Sequence, residues 1–484
     1  MKSIVVLIFA VFCLITFNSC IKNNNKEIEL FVYCAAGMKT PMDNIVKQYK
    51  KEYGVNVIVQ YGGSGSLLSS IRVSNKGDIY LASDNSFLES AKKYNLVDEI
   101  QSLAFLKPVI VTRKGNPKKI STILDFLKPN VSFCLGTPDV TSIGKMTQKL
   151  YTELNVWGDI SKKVTVFKPT VFDVANDVKL GTVDAAIIWD GVAYQYPELE
   201  IIKDTQLDKY QESVWVTVLK SSKNPTEALK FLRYLSAKDK GLSVFEKYKY
   251  TVIEGDKWSE KPDLLLYSGG VNRVAVEAII KQFEAREGLT VTRVYNGCGI
   301  LVGQIKTGRK PDAFLTCDIS FMDQVKADFC DLRNISQTDI VIVTKKGNPL
   351  NIKSLKDLSD QSLKLGVGNP LQSTLGALTQ RIFKSLKLES INKNVCVQTP
   401  TADLLINQLR TGALDAAIVY KANTAKVKDK LDVIAIKETY ATATQNFGLS
   451  KISENKNAMK RLVDAIKSEP SQKYFINNGF VIKD

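Results

Sequence analysis

The chain has 484 residues, of which 44% are hydrophobic and none is histidine. This length and composition are typical of about two to four globular domains with buried cores, and they exclude a disordered or fibrous protein. The lack of histidine also excludes catalytic sites of the Ser-His-Asp, Cys-His and HExxH types. Lys and Arg outnumber Asp and Glu by 66 to 50, for a net charge of +16. The basic residues are scattered, which argues against nucleic-acid binding.

The first twenty residues resemble the export signal of a bacterial lipoprotein. The apolar run from Ile4 to Ile15 is too short to span a membrane as a helix but has the length of a signal-peptide core. The following Thr16-Phe17-Asn18-Ser19-Cys20 resembles a lipobox, with Cys20 as the lipidation site. We therefore predict a signal peptide at 1–20, a flexible tether at 21–27, and a lipid-anchored protein that is periplasmic or at the cell surface.

After the tether, short β-branched runs alternate with longer amphipathic segments. The predicted strands are 29–33, 56–61, 79–82, 109–112, 131–135 and 185–189. The predicted helices are 41–53, 66–74, 121–127, 143–154 and 171–180. This alternation indicates parallel α/β sheets, in which ligands bind at the carboxyl ends of the strands.

This pattern of elements occurs twice in the chain. Five blocks align in the same order: Tyr33–Val55 with Tyr267–Leu289, Gly63–Leu67 with Gly297–Leu301, Asp78–Asp84 with Asp312–Asp318, Val111–Pro117 with Val343–Pro349, and Gly181–Trp189 with Gly412–Tyr420. We therefore predict two modules of one fold, 28–256 and 262–484, with the seam near Gly255 to Pro262.

The turn after the second predicted strand is Gly62-Gly63-Ser64-Gly65-Ser66. Glycines let the backbone approach a ligand closely, and the N-terminus of the following helix presents free N–H groups, so the turn could hold an anion. A tight connection between strand and helix is the alternative reading. The turn is not a nucleophile elbow, which would need glycine at 66, and it lacks the GKS or GKT of a P-loop.

Other turns carry similar small and polar residues. Ala35-Ala36-Gly37-Met38 exposes backbone N–H groups after the first strand. Thr141 and Ser142 could donate hydroxyls to a ligand or cap a helix. Trp189 could donate its indole N–H to a ligand, although filling the core is the more common role of tryptophan.

Six cysteines remain after the export signal: Cys34, Cys134, Cys298, Cys317, Cys330 and Cys396. They show neither a CxxC pattern nor a regular framework, so we expect no metal site. We expect small buried residues, and a disulfide among them is the alternative in an exported protein.

The order of motifs in each half resembles a known family. The first half has, in order, a strand followed by A-A-G, G-G-S-G-x-L-x-x-x-I, G-D-x-x-x-x-S-D, K-G-N-P and G-x-x-D-A-A-I-I-W. This order is similar to that of the periplasmic molybdate/tungstate-binding component of ABC importers. The resemblance covers nearly all of each half, so the chain looks like a tandem duplication. It implies two type II periplasmic-binding modules, each with two α/β lobes that are joined by crossover strands and close on a tetrahedral oxyanion.

The resemblance also implies which residues bind the ligand. In the first module these are Gly37, Met38, Ser64, Ser142, Val171 and Trp189. In the second module they are Val271, Cys298, Ser373, Ala402 and Tyr420. Gly37 and Val271 replace the family's first serine, and Cys298 replaces its second serine with a weaker donor. We therefore expect the first module to hold the working site.

The implied function is that of a solute-binding lipoprotein, which binds molybdate or tungstate by hinge closure and delivers it to a membrane permease. We expect a monomer without cofactor, metal, nucleic-acid partner or enzymatic activity. Sulfate and phosphate are alternative ligands. A phosphate site should place a carboxylate against the ligand, but Asp78 and Asp312 precede strands and are predicted to act in structural turns.

Two functions of other classes stay open. The duplicated fold could have lost its anion and serve as a surface scaffold or sensor, as the departures at Gly37, Val271 and Cys298 suggest. A serine hydrolase that uses Ser64 is the weaker alternative, because the motif supplies no base.

Overall fold

The computed structural model describes residues 28–360, 362–438 and 440–482. The predicted signal peptide with Cys20 and the predicted tether lie outside these residues. Within the described ranges, no helix combines the length and the apolar character needed to cross a membrane.

Two sheets with flanking helices form the first half of the chain. Its strands are β1 Glu29–Ala35, β2 Asn56–Gly62, β3 Ile79–Ala82, β4 Val97–Leu106, β5 Pro108–Arg113, β6 Phe133–Gly136, β7 Val166–Lys168, β8 Ala185–Trp189, β9 Leu199–Ile202, β10 Glu212–Leu219 and β11 Thr251–Val252. Its α-helices are Lys39–Tyr53, Ser64–Ser74, Asn85–Lys93, Ser142–Glu153, Trp157–Lys163, Val171–Leu180, Asp190–Ala193, Pro225–Leu235 and Gly241–Lys247.

Each sheet is the centre of one lobe. The first lobe has the strand order β11-β4-β10-β3-β1-β2, and the second lobe has the order β7-β6-β8-β5-β9. The chain enters the second lobe between β4 and β5 and returns to the first between β9 and β10. Two such crossings form a hinge between the lobes, which is the type II periplasmic-binding architecture that the sequence predicted.

The structure confirms the six predicted strands of the first module and four of its five predicted helices. The helix predicted at 121–127 is wrong, because this segment forms only a short 3₁₀ turn, Ile123–Leu127. Lys128 ends this turn with an extended backbone, because Pro129 follows it and a proline disfavours helical geometry in the residue before it. The predicted parallel pairing is confirmed for β1 with β2 and β3 and for β6 with β7 and β8, but the crossover strands β4, β5 and β10 pair antiparallel with their neighbours.

The second half of the chain repeats this architecture. Its strands are β12 Asp263–Gly269, β13 Thr290–Asn296, β14 Ala313–Leu315, β15 Phe329–Lys345, β16 Leu365–Gly368, β17 Val395–Thr399, β18 Ala416–Tyr420, β19 Leu431–Ala435 and β20 Thr442–Ser450. Its α-helices are Arg273–Glu287, Cys298–Lys306, Ile319–Met322, Thr374–Ser385, Ala402–Thr411, Lys456–Lys467 and Glu469–Ile476.

The two modules differ at the hinge. Strand β15 runs unbroken for 17 residues through both lobes of the second module, whereas Lys107 separates β4 from β5 in the first module. Pro108 lies opposite Trp189 where Ile340 lies opposite Tyr420. Proline has no N–H to donate to a ladder, so it interrupts the strand in the first module.

A buried ion pair joins the first lobes of the two modules. Glu287 is 1% exposed, and its carboxylate accepts from Arg461 Nε at 2.6 Å and from Arg233 Nη1 at 3.2 Å. Burial alone would raise the pKa of Glu287, but attraction to Arg461 and Arg233 outweighs it and holds the pKa below its usual value. At the rim, Arg286 Nε donates to Glu99 at 2.7 Å. Both second lobes lie outside these contacts.

Candidate functional site in the interlobe clefts

The first candidate site lies between the two lobes of the first module. Ser64 follows β2 and Ser83 follows β3 in the first lobe, while Ser142 begins the helix after β6 and Trp189 ends β8 in the second lobe. These side chains are at most 5% exposed. The carboxyl ends of strands from both lobes therefore bring four polar groups into one buried cleft.

A chain of hydrogen bonds connects these four side chains across the cleft. Ser64 Oγ lies 3.1 Å from Ser83 Oγ, which lies 2.6 Å from Ser142 Oγ. Trp189 Nε1 donates to Ser142 Oγ at 3.2 Å, and the backbone N–H of Ser83 donates to Ser64 Oγ at 3.3 Å. Trp189 is thus part of the core and of this polar network at once.

Three helices begin at the first cleft, with Ser64, Ser142 and Val171 as their first residues. The N–H groups in a first helical turn have no intrahelical acceptor, and the helix dipole adds a partial positive charge there. Thr141 is the N-cap and accepts from Gly144 N at 3.0 Å. Because Thr141 has the capping role, the hydroxyl of Ser142 is left to face the cleft.

The glycine turn is pressed against the second lobe. A Cβ on Gly63 would lie 2.3 Å from Val140 O, and a Cβ on Gly65 would lie 2.3 Å from Asp139 O. Gly65 N also donates to Val140 O at 2.9 Å. Close approach between the lobes therefore requires glycine at both positions.

The space enclosed by the closed first cleft is about 10 Å³, which is room for about one water molecule. To admit a tetrahedral anion, the serine hydroxyls must exchange their mutual hydrogen bonds for bonds to the ligand, and the lobes must part slightly. Among the described residues, those that line this cleft are all uncharged.

The two candidate carboxylates have structural roles. Asp78 accepts from Phe31 N at 2.8 Å and from Ser222 Oγ at 2.6 Å. Asp312 accepts from Leu265 N at 2.8 Å. Both carboxylates tie the turn before a strand to the neighbouring strand, as predicted.

The second cleft carries thiols where the first carries hydroxyls. Cys298 begins the helix after β13, and Cys317 follows β14. Cys317 N donates to Cys298 Sγ at 3.2 Å, in the same arrangement as Ser83 N with Ser64 Oγ. Tyr420 ends β18 at the position of Trp189, and about 10 Å³ is enclosed here as well.

The two thiols differ in acidity. Burial opposes the ionisation of Cys298, but the hydrogen bonds that it receives from Cys317 and Thr374 outweigh burial and hold its pKa below the usual value. Donation to Cys298, together with burial, raises the pKa of Cys317 well above the usual value. Both residues are free thiols.

The remaining predicted site residues of the first module behave differently from one another. Gly37 and Val171 line the cleft, and a Cβ on Gly37 would lie 3.6 Å from Val171 Cγ1. Met38 is not among the residues that line the cleft, and its side chain is fully buried in the hydrophobic core of the module.

In the second module, Val271 and Ala402 line the cleft. Ser373 also lines it, but it precedes the first helical residue, Thr374. Its counterpart in the first module is therefore the N-cap Thr141, and the counterpart of Ser142 is Thr374. The sequence-based alignment was wrong by one residue in this loop.

A sequence model described as "bacterial extracellular solute-binding protein" matches the chain twice, at residues 30–251 and 264–481. This chain belongs to that family. Because the match covers both modules, this solute-binding protein is a tandem duplication of the family unit.

Individual relatives match about half of this solute-binding protein. A putative binding protein of Haemophilus influenzae is 28% identical over 200 residues, which are 41% of this chain and 82% of the relative. The putative ABC transporter substrate-binding lipoprotein YvgL of Bacillus subtilis is 24% identical over 232 residues, which are 47% of this chain and 88% of the relative. The molybdate-binding protein ModA of Mycobacterium bovis is 25% identical over 217 residues, which are 43% of this chain and 79% of the relative.

Sequence reasoning missed three polar residues of the clefts of this solute-binding protein, namely Ser83, Cys317 and Thr374. The signal for the first two was present, because Ser83-Asp84 and Cys317-Asp318 end one of the five repeated blocks. Asp84 and Asp318 cap the next helices, and the residue before each cap faces the cleft.

Proposed function

We propose that this solute-binding protein is the extracytoplasmic receptor of an ABC importer and that its first cleft binds a tetrahedral oxyanion, molybdate or tungstate. The observation that supports this proposal is the set of uncharged donors that meet there from two lobes. Three hydroxyls, one indole N–H and three helix N-termini converge on a buried space.

Such a cleft favours a fully deprotonated anion. Helix N-termini and hydroxyl donors stabilise negative charge without a cationic side chain. Phosphate carries a proton near neutral pH and needs an acceptor, whereas molybdate, tungstate and sulfate do not. Because the described residues that line the cleft include no carboxylate, we expect phosphate to bind poorly.

Ligand binding would be coupled to hinge closure. An anion held by Ser64 and Ser83 of the first lobe and by Ser142 and Trp189 of the second would bridge the lobes. The contact of Gly63 and Gly65 with the second lobe would then exclude water from the ligand. The closed form is the one that a permease would recognise.

Calorimetry on the chain without residues 1–26 tests the proposal. We expect about one molybdate or tungstate per chain. Ser64→Ala should weaken binding about 10-fold to 100-fold, because a hydrogen bond to a charged group contributes about 1.5–3 kcal/mol. Ser69→Ala is the matched control, since Ser69 is exposed on the same helix. The absence of heat with molybdate, tungstate and sulfate would contradict the proposal.

The same variants separate the receptor from the alternative of a scaffold or sensor without an anion, since a scaffold should be indifferent to Ser64→Ala. If the protein bound one sulfate per chain and did not bind molybdate, sulfate would be the ligand of the first cleft.

We also propose that the protein is exported and anchored through a lipid on Cys20. Labelling of cells with radioactive palmitate should mark the wild-type protein and should not mark Cys20→Ala. Equal labelling of both would contradict the anchor.

A further inference from the structure

The second cleft holds two sulfur atoms at one point. A Cβ on Gly269 would lie 2.2 Å from Cys317 Sγ and 2.9 Å from Cys298 Sγ. Both thiols therefore meet in the space that the glycine leaves at the end of β12. Cys298 is 0% exposed and Cys317 is 5% exposed, and both belong to the first lobe.

Two hydroxyls of the second lobe accompany this pair. Thr374 is 1% exposed and Tyr420 is 3% exposed. Tyr420 Oη has no hydrogen-bond partner within the part of the chain that the structure describes. Thr374 Oγ1 lies against both sulfur atoms, where its hydrogen bond favours the thiolate form of each cysteine. A buried polar group without a partner costs about 1–3 kcal/mol, so the Tyr420 hydroxyl is suited to a ligand that brings an oxygen of its own.

We propose that the second cleft binds a thiophilic oxo-acid of a trivalent metalloid, for which arsenite is the probe. Cys298 and Cys317 each bond to arsenic through sulfur, and two hydroxyl groups of the arsenite leave as two water molecules with the thiol protons. Arsenic stays trivalent and keeps its third hydroxyl, which hydrogen-bonds to Thr374 and Tyr420. The inference relies on the hinge closure proposed above and is independent of the anion in the first cleft.

This ligand class fits the donor set better than a hard oxyanion or a divalent metal ion. Thiols are weak hydrogen-bond donors, so the pair is poorly suited to molybdate. Sulfur ligands select soft centres. Within the described residues, no cluster of three or more Cys, Asp or Glu side chains could hold a metal ion, and a structural zinc site needs four ligands.

Native mass spectrometry of the full chain, reduced with a phosphine and titrated with arsenite, tests the proposal. We expect one tightly bound arsenic per chain. X-ray absorption at the arsenic edge should show two sulfur neighbours and one oxygen. The variant Cys298→Ser/Cys317→Ser should lose this arsenic. Serine occupies both positions in the first module, so this variant is expected to fold, and its thermal unfolding checks that.

The matched control is Cys330→Ser/Cys396→Ser, which removes two cysteines outside the cleft and should still bind one arsenic. The proposal is overturned if the Cys298/Cys317 variant binds as much arsenic as wild type. It is also overturned if reduced protein with both thiols free by peptide mapping binds none, or binds Cu(I) but not arsenite. Molybdate titration of the same sample measures binding in the first cleft. A failure of molybdate binding can therefore be distinguished from a failure of arsenite binding in the second cleft.

A second variant tests the contribution of the second lobe. Tyr420→Phe removes a hydroxyl that has no partner within the described residues, so the stability of the free protein should not fall. Its arsenite affinity should fall about 5-fold to 10-fold, the value of one hydrogen bond. Unchanged affinity would overturn the role of the second lobe.

Discussion

The two clefts share one backbone frame and differ in the atoms that they present. In both, a glycine turn of the first lobe meets a carbonyl of the second: a Cβ would lie 2.3 Å from Val140 O at Gly63 and 2.2 Å from Gln372 O at Gly297. Ser64 of the first cleft is nevertheless replaced by Cys298 in the second cleft. Lobe closure depends on backbone contacts, so the donor set can change from hard hydroxyls to soft thiols without altering the hinge.

The two modules share a buried ion pair, and its loss is the change for which we expect the largest effect. Glu287→Gln leaves Arg233 and Arg461 buried without their anion, which should cost about 3–5 kcal/mol of unfolding free energy. Calorimetric or denaturant unfolding measures the loss. Arg286→Gln, at the rim of the same contact, is the control and should cost about 0–1 kcal/mol.

The stabilisation by Glu287 should depend on pH. Its pKa is lower in the folded protein than in the unfolded chain, so the ion pair stabilises fully above the usual glutamate pKa of about 4.3. The contribution is lost as the pH falls below that value through the folded pKa. The difference between wild type and Glu287→Gln should therefore shrink below about pH 4 and stay constant above pH 5. If the difference in unfolding free energy between wild type and Glu287→Gln did not change with pH, the lowered pKa of Glu287 would be contradicted.

The next largest effect should come from blocking closure in one module alone. Gly63→Ala places a methyl group against Val140 O, so molybdate affinity should fall by at least about 100-fold, equivalent to roughly 3 kcal/mol. Calorimetry with molybdate measures the change. Gly158→Ala is the control, because its Cβ would meet no atom within 4 Å. Normal binding by Gly63→Ala would show that closure is not required.

Three substitutions convert the side chains of the second cleft into those of the first. Val271→Gly/Cys298→Ser/Cys317→Ser reproduces Gly37, Ser64 and Ser83 at the matching positions. We expect a second molybdate per chain, bound no more than about 100-fold more weakly than the first. Calorimetry measures the number of molybdate ions bound per chain. The control variant Cys330→Ser should still bind one. A stoichiometry of one in the converted protein would show that more than these side chains separates the clefts.

The smallest expected effect concerns Ser83, whose hydroxyl lies between Ser64 and Ser142. Ser83→Ala should weaken molybdate binding about 10-fold, the value of one hydrogen bond. Ser86→Ala is a control of similar chemistry, because the Ser86 hydroxyl donates to Asp84 outside the cleft. Equal affinities of the two variants would remove Ser83 from the site.

Much of the fold was predictable because its signals are local. The alternation of strands and helices and the glycine turn around Ser64 can be read from neighbouring residues, and the repeat at residues 262–484 is found by aligning the two halves of the sequence. The 3₁₀ turn at Ile123–Leu127 was mistaken for a helix, since a following proline shortens a helix by an amount that periodicity does not reveal.

The amino-acid sequence alone specifies the alternating elements and the glycine turns at strand ends, because periodicity and backbone freedom depend on adjacent residues, and its two similar halves specify the duplication. Only the tertiary structure decided which side chains meet. Ser83 and Cys317 reach the clefts because β1 lies between β2 and β3, and β12 lies between β13 and β14. Likewise, Glu287 finds Arg233 and Arg461 only when the modules pack together. These contacts join residues far apart in the chain, and strand order and module packing set them.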